Sequence, residues 1–292
     1  MIGVRYAIIG GTGFLGKKMV SVLRKEGDIV TPFSFNSENK IDIASLESVK
    51  TVLGKMDLDV IVNCAALTDV DKCEDDARNA ENINSVGPQN LSLFSKNKNI
   101  WFVQISTDYV FDGIKGDYSE TDFPNPINVY GRTKLGGEKN ALSNNDKVLV
   151  LRISTPYGYN DNNDKITLTK KIIDNLTNGK PIELFMDQHV SPTLIDDAVY
   201  AMKKLINKDK VGIYHAAGMD RIDRYSYGIE VARVFELDDT LIKPVSINEI
   251  KFKAKRPKDS SLSIMKLVRE GIEMSNVYDG LKKVKDTIES QK

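Results

Sequence analysis

Cysteine and histidine are scarce in this 292-residue chain, with two of each. Cys64 and Cys73 lie nine positions apart with no histidine near them in sequence. That pattern argues against both a disulfide scaffold and a zinc motif, and it fits two free thiols in a reducing compartment. Charge of either sign is not in excess, because 41 lysines and arginines balance 41 aspartates and glutamates. The balance gives no global attraction to nucleic acid or to an anionic membrane, and neither is expected as a partner. No apolar run reaches the roughly 18 residues that suggest a bilayer span. The opening MIGVRYAIIGG runs into a glycine-rich turn too soon for a signal peptide. The expected location is cytoplasmic.

What is present is an ordinary globular composition, 41% hydrophobic and 28% charged. Tyr6–Ile9 reads as a strand, Gly10–Gly16 as its turn, and Lys17–Glu26 as a helix with Met19, Val20 and Leu23 at helical spacing. Ile29–Phe33, Asp59–Asn63, Ile100–Ser106 and Val148–Ile153 read as further strands. Leu46–Leu53, Arg78–Lys96 and Tyr130–Ala141 read as helices, the second interrupted near Gly87-Pro88. Strands alternating with helices predict βαβ units and a doubly wound, Rossmann-type parallel sheet. After residue 153 the texture changes. A polar loop, Asn160–Asp164, precedes helices at Leu168–Leu176, Asp196–Asn207 and Tyr225–Phe235, with strands at Ile182–Leu184 and Ile213–Ala216. Residues 1–153 are therefore expected to bind a dinucleotide. Residues 154–292 form a smaller substrate-binding region, with segments that can return to the first.

The turn GGTGFLG sets Gly10, Gly13 and Gly16 between a strand and a helix. Glycines let the backbone approach a pyrophosphate, and the helix start favours its charge. Thr12, Phe14 and Leu15 share that turn. Phe33–Ser37 contains neither an acid that would hold a ribose diol nor an arginine that would hold a 2′-phosphate, so NADPH and NADH both remain open. Asp42, beside Ile43, either accepts from an adenine amine or caps the helix near Leu46. Asn63, Cys64, Ala65 and Ala66 end a strand with small side chains that allow backbone contact with a cofactor.

The second constellation is Ser106-Thr107-Asp108-Tyr109 with Tyr130-Gly131-Arg132-Thr133-Lys134. A helix places Tyr130 and Lys134 on one face. Reducing a carbonyl needs a proton for the emerging alkoxide, and a nearby ammonium can pull a phenol down from about 10. Tyr130 is the expected proton donor, Lys134 its tuner and ribose anchor, and Thr107 the hydrogen-bond donor to the carbonyl oxygen. Neither His189 nor His215 is expected to do acid–base work or to bind metal.

GGTGFLG, DVIVNCAALTDVDKCE, ISTDYVFDG, NVYGRTKLGGEK, SPT and KRPKDSSL together resemble the dTDP-4-dehydrorhamnose reductase family of the extended short-chain dehydrogenase/reductases. The resemblance covers most of the chain. It implies reduction of the C4 ketone of dTDP-4-dehydro-β-L-rhamnose, with Thr107, Tyr130 and Lys134 catalytic. It also implies cofactor contacts at Asp42, Asn63, Ala65 and Ala66. Asp108 and Tyr109 would lie near the sugar, and Ser191, Thr193 and Arg256 in the substrate segments. Two departures bear on the sugar: DQHVSPT lacks a common glycine, and RISTPYG lacks a common tryptophan. The sequence also resembles the regulatory β subunit of methionine adenosyltransferase, which implies a cofactor-binding partner subunit instead of an enzyme. A related nucleotide-sugar ketoreductase or epimerase is a further alternative. Met274, Leu281, Val284 and Ile288 form an apolar stripe facing either the core or a second copy in a homodimer.

Overall fold

The computed structural model describes residues 3–159 and 167–290; the loop expected at Asn160–Asp164 lies outside the described residues. Six parallel strands form the central sheet. They are β1 (Arg5–Ile9), β2 (Ile29–Phe33), β3 (Val60–Asn63), β4 (Trp101–Thr107), β5 (Val148–Ile153) and β6 (Gly212–His215), in the spatial order β6-β5-β4-β3-β1-β2. The last of them comes from the C-terminal half of the chain and pairs with β5. The order reverses between β1 and β3, the place at whose carboxyl ends open parallel sheets bind their ligands.

Period-two alternation splits the core across this sheet. Tyr6, Ile8, Val60, Val62, Val103, Ile105, Leu149 and Leu151 face one side. There they meet α1 (Phe14–Lys25) through Met19 and Leu23, and the later helix Ile195–Asn207 through Ala198, Met202 and Leu205. Ala7, Ile9, Ile61, Phe102, Val148 and Val150 face the other. They meet α2 (Leu46–Leu53), α3 (Gly87–Lys98) and α4 (Val129–Asn144). With both faces covered, the strands read as continuous apolar runs.

The break expected at Gly87-Pro88 sits slightly earlier. Asn82–Val86 is a π-helical turn, and Pro88 lies in the first turn of α3, where its missing N–H costs nothing. The π turn brings buried Asn84 against α4, where its amide donates to Thr133 Oγ1 at 3.1 Å and to Leu67 O at 3.0 Å.

Beyond the carboxyl edge of the sheet a third cluster joins α5 (Leu168–Thr177), α7 (Arg224–Phe235) and α8 (Val277–Glu289) through Ile172, Tyr227, Val231, Leu281 and Val284. The helix Ile195–Asn207 is α6 in this order. The C-terminal stripe thus faces the core: Leu281 and Val284 are buried there and Ile288 packs against it, whereas Met274 joins the first cluster.

Helix α4 is locked to β5 by a fully buried ion pair. Arg152 donates from Nε to Glu138 Oε1 at 2.9 Å and from Nη2 to Oε2 at 2.7 Å, with both side chains 1% exposed. Ser106 Oγ adds a donor to Oε1 at 2.5 Å. On its far side Arg152 reaches His215 Nε2 at 3.3 Å, so this nitrogen accepts and Nδ1 carries the proton toward Ser263 O at 3.1 Å. Burial, helped by Arg152, pulls the His215 imidazole down to about 3.

Removing one partner of such a pair leaves a buried charge uncompensated. Glu138→Gln is expected to cost about 3–5 kcal/mol in urea unfolding. A loss below about 1 kcal/mol would show that the pair does not hold the helix.

Candidate active site

The glycine turn sits at the reversal of strand order. Gly10 has φ of 75°, and its N–H, like that of Gly11, donates to Phe33 O, at 2.8 and 3.0 Å. A side chain at Gly10 would stand 2.6 Å from Ala65 N, and one at Gly16 would collide with Gly10 O. Gly13 is different. Its φ is −82°, and a Cβ there would meet only Gly10 O at 3.3 Å. Gly13 also begins α1 with no side-chain cap. The fold itself therefore requires Gly10 and Gly16, whereas the open cradle at Gly13, with Thr12 exposed and Phe14 and Leu15 half-buried beside it, fits a pyrophosphate.

Other cofactor-side residues divide into walls and braces. Asn63 is fully buried; its amide donates to Gln104 Oε1 at 2.9 Å and its Oδ1 accepts from Ala65 N at 3.1 Å. It shapes the Cys64–Ala66 segment instead of pointing outward. Cys64 lies against Met19, and burial pushes its thiol up to about 12. The capping alternative for Asp42 is not found, because Ser45 caps α2 and Asp42 accepts from Ala44 N at 3.0 Å. Ile43 is buried and receives Asn90 on its carbonyl at 2.9 Å. At the end of β2, the Lys40 ammonium lies over the Phe35 ring, 4.9 Å from its centre.

The groups expected to react converge at the end of β4 and the first turns of α4. Lys134 is 4% exposed and donates to Ile105 O at 2.6 Å. Burial lowers its ammonium to about 8, with Glu138 the main opposing charge. Tyr130 meets Tyr109 edge-on, with ring centres 5.8 Å apart. Burial pushes the Tyr130 phenol up, and the Asp108 charge adds to that push. The lowered phenol expected from Lys134 is thus reversed by desolvation. Thr107, expected to hold a carbonyl oxygen, gives its proton to Asp108 Oδ1 at 3.0 Å.

Asp108 itself is 2% exposed, and its Oδ2 accepts from Ser154 Oγ at 2.9 Å and Ser260 Oγ at 2.5 Å. The expected sugar contact at Asp108 is replaced by this internal network. Ser191 and Thr193 are corrected in the same way. Both are buried, with Ser191 Oγ accepting from Leu262 N at 3.2 Å and Thr193 Oγ1 donating to Ser154 O at 2.8 Å, so they stitch the wall behind the site. Arg256 lies over Phe252 and pairs with Asp71 at 2.8 Å, which fastens its segment to the helix Val70–Asp75. His189 braces the same segment through its backbone, donating to Lys258 O at 2.7 Å.

Sequence reasoning missed two residues. Gln188, 2% exposed, donates to Pro257 O at 3.1 Å and opposes the rise that burial gives the Tyr109 phenol. Arg224 acts electrostatically on Tyr109 and Asp108, and its Nε is buried without a hydrogen-bond partner among the described residues. Arg224 also lines a cavity of about 310 Å³ with Leu184, Phe185, Val245 and Phe252. Nothing local marks Arg224, because only the fold brings the start of α7 to the end of β4. A larger groove of about 980 Å³, between Asp196–Tyr200 and Glu273–Asp286, shares no residue with this site. No group of metal-ligating side chains occurs among the described residues, and no described helix is long and apolar enough to cross a membrane.

A doubly wound sheet with a glycine turn at its switch point and Thr107, Tyr130 and Lys134 gathered at β4 defines the extended short-chain dehydrogenase/reductase class. Within it, the chain belongs to the family described as RmlD substrate binding domain, whose model matches residues 4–290. The "Probable low-salt glycan biosynthesis reductase Agl14" of Haloferax volcanii is 33% identical over 89% of this chain and 90% of its own length. Methionine adenosyltransferase 2 subunit beta of Rattus norvegicus is 29% identical over 92% of this chain and 83% of its own. Among solved structures, the dTDP-4-dehydrorhamnose reductase of Bacillus anthracis in complex with NADP is 30% identical. It covers 98% of this chain and 99% of its own, with a TM-score of 0.90.

The glycine turn yields a paired prediction. Gly13→Ala should cost under about 1 kcal/mol of stability yet weaken NADPH binding at least about tenfold in calorimetry. Gly10→Ala should destabilise the fold outright. Equal affinity for NADPH in wild type and Gly13→Ala would rule out the cradle.

Proposed function

We propose that this chain is an NAD(P)H-dependent oxidoreductase that reduces the C4 ketone of dTDP-4-dehydro-β-L-rhamnose to dTDP-L-rhamnose. The observation that carries the reading is the placement of a half-buried phenol, Tyr130, beside Thr107 at the carboxyl end of β4, with the Lys134 ammonium one helical turn along α4. A reduced nicotinamide dinucleotide, its pyrophosphate held on the β1–α1 turn, would supply the hydride. Burial keeps Tyr130 protonated at neutral pH, so it has a proton to give to the oxygen that gains negative charge. Lys134 in its charged form favours the phenolate left behind. The cavity walled by Phe185 and Phe252 suits a nucleotide base, and the unpartnered Arg224 Nε suits a phosphate or sugar oxygen. The likeness to the Bacillus anthracis reductase supports both the sugar and an NADP-type cofactor.

Two other readings have support of their own. The Haloferax relative, named as a reductase of glycan biosynthesis, favours a ketoreductase acting on a different sugar. The rat relative favours a regulatory subunit that binds a methionine adenosyltransferase.

Purified protein with dTDP-4-dehydro-β-L-rhamnose should oxidise NADPH or NADH in step with formation of dTDP-L-rhamnose. Tyr130→Phe should lower kcat at least about a hundredfold while still binding cofactor. Folded, cofactor-binding protein that leaves this sugar unchanged would reject the substrate.

Lys134 gives the pH dependence. Its pKa lies below the ordinary 10.5, at about 8, and the working form is charged. The rate is therefore full below about pH 8 and falls as pH rises through it. A kcat flat to pH 10 would contradict this role.

A further inference from the structure

The parallel ladder between β3 and β4 stops at the pair Asn63–Gln104, and side chains take over where it ends. Gln104 Nε2 donates to Ile105 O at 2.7 Å, and its Oε1 accepts from Asn63 Nδ2 at 2.9 Å. Asn63 Oδ1 in turn accepts from Ala65 N at 3.1 Å, on the segment expected to wall the cofactor. The same Ile105 oxygen accepts from the Lys134 ammonium at 2.6 Å. Ala65 N and Lys134 Nζ are thus joined by an unbroken run of four hydrogen bonds. The three side chains in the run, Asn63, Gln104 and Lys134, are all buried.

The run leaves no choice of orientation. A carbonyl oxygen has two lone pairs, and Ile105 O meets the amide with one and the ammonium with the other. Turning the Gln104 amide over would set its oxygen against Ile105 O and its nitrogen against Asn63 Nδ2. Turning Asn63 over would set its nitrogen against Ala65 N and its oxygen against Gln104 Oε1. Each amide therefore holds the other. The next residue of β4 is pinned as well, because Ser106 Oγ donates to Glu138 Oε1. A lysine side chain carries about 2 kcal/mol of rotamer entropy, so an ammonium offered both lone pairs spreads over them.

We infer that Gln104 is a positioning residue. By filling one lone pair of Ile105 O it confines the Lys134 ammonium to the other, and through Asn63 it sets that ammonium in register with the Cys64–Ala66 segment. This rests on the reductase reading for its kinetic consequence but not for its geometry. In that reading Lys134 favours the phenolate that Tyr130 leaves behind, and an ammonium that wanders does so for only part of the time. The relay touches no sugar, so its loss slows turnover and leaves sugar binding in place.

The test combines kinetics at saturating NADPH with NMR of protein labelled at lysine Cε, the Lys134 signal being assigned by its loss in Lys134→Arg. A fixed ammonium keeps its two Hε protons inequivalent, whereas a wandering one averages them. Wild type should show two Lys134 Hε shifts, and Gln104→Met, close in volume but with no amide to donate or accept, should merge them. Gln104→Met should lower kcat about ten- to a hundredfold, the range for a reacting group displaced by about 1 Å, with KM for the sugar changed less than about threefold. Asn63→Leu breaks the same run, so the double variant should be no slower than Asn63→Leu alone. The double variant also replaces both amides by apolar groups of similar size, and it decides the matter if Gln104→Met, with Asn63 left unpaired, does not fold. Two Hε shifts that persist without Gln104, a kcat within about twofold of wild type, or single losses that multiply in the double variant would overturn the inference. Merged Hε shifts in Gln104→Met with no sugar turnover by wild type would reject the reductase reading alone.

Discussion

The buried pair between Glu138 on α4 and Arg152 on β5 is the constraint from which the geometry of the site follows. Tyr130, Lys134 and Glu138 are spaced four apart and share one helical face. Fixing Glu138 against the sheet fixes how far α4 projects past the strand ends, and hence where the phenol stands. It also places a carboxylate beside an ammonium that burial would otherwise discharge. Burying an ion pair gains little net stability over an apolar pair of equal volume. Its value here is register: a helix slid by one turn would carry Tyr130 away from Thr107.

The strands and the two nucleotide-fold motifs were legible because they are local. Ile29–Phe33, Leu46–Leu53 and Val148–Ile153 begin and end where apolar periodicity places them. The glycine turn and the Tyr130–Lys134 spacing each lie within one short segment. What escaped is set by partners distant in the chain. Asp108 meets Ser154 and Ser260 across 46 and 152 positions, and Arg256 meets Asp71 across 185. A residue's type announces that it can donate or accept, but not whether the fold has already used that capacity. Asp108, Ser191 and Thr193 were therefore expected to face a ligand and proved to be internal braces. The phenol of Tyr130 teaches the same lesson in energy, since desolvation outweighs the pull expected from Lys134.

The C-terminal half is an extension of the first fold as much as a separate layer. It returns β6 to the central sheet and closes the wall behind Asp108 with residues 259–262. It also contributes a third core beyond the strand ends, which supports Arg224 and the adjacent aromatic cavity. This construction explains how one scaffold serves relatives named for sugar reduction and for a methionine adenosyltransferase subunit. The glycine turn belongs to the sheet, whereas Arg224 and the aromatic cavity beside it belong to later segments.

Under the proposed function, Tyr130 and the β1–α1 turn together serve hydride transfer to a sugar ketone. The direct measurement is incubation of the protein with dTDP-4-dehydro-β-L-rhamnose and nicotinamide cofactor deuterated at C4, followed by NMR of the sugar. Deuterium at C4 of dTDP-L-rhamnose, formed by wild type and not by Tyr130→Phe, is the predicted result. Cofactor bound with no label reaching any sugar carbon would contradict the account.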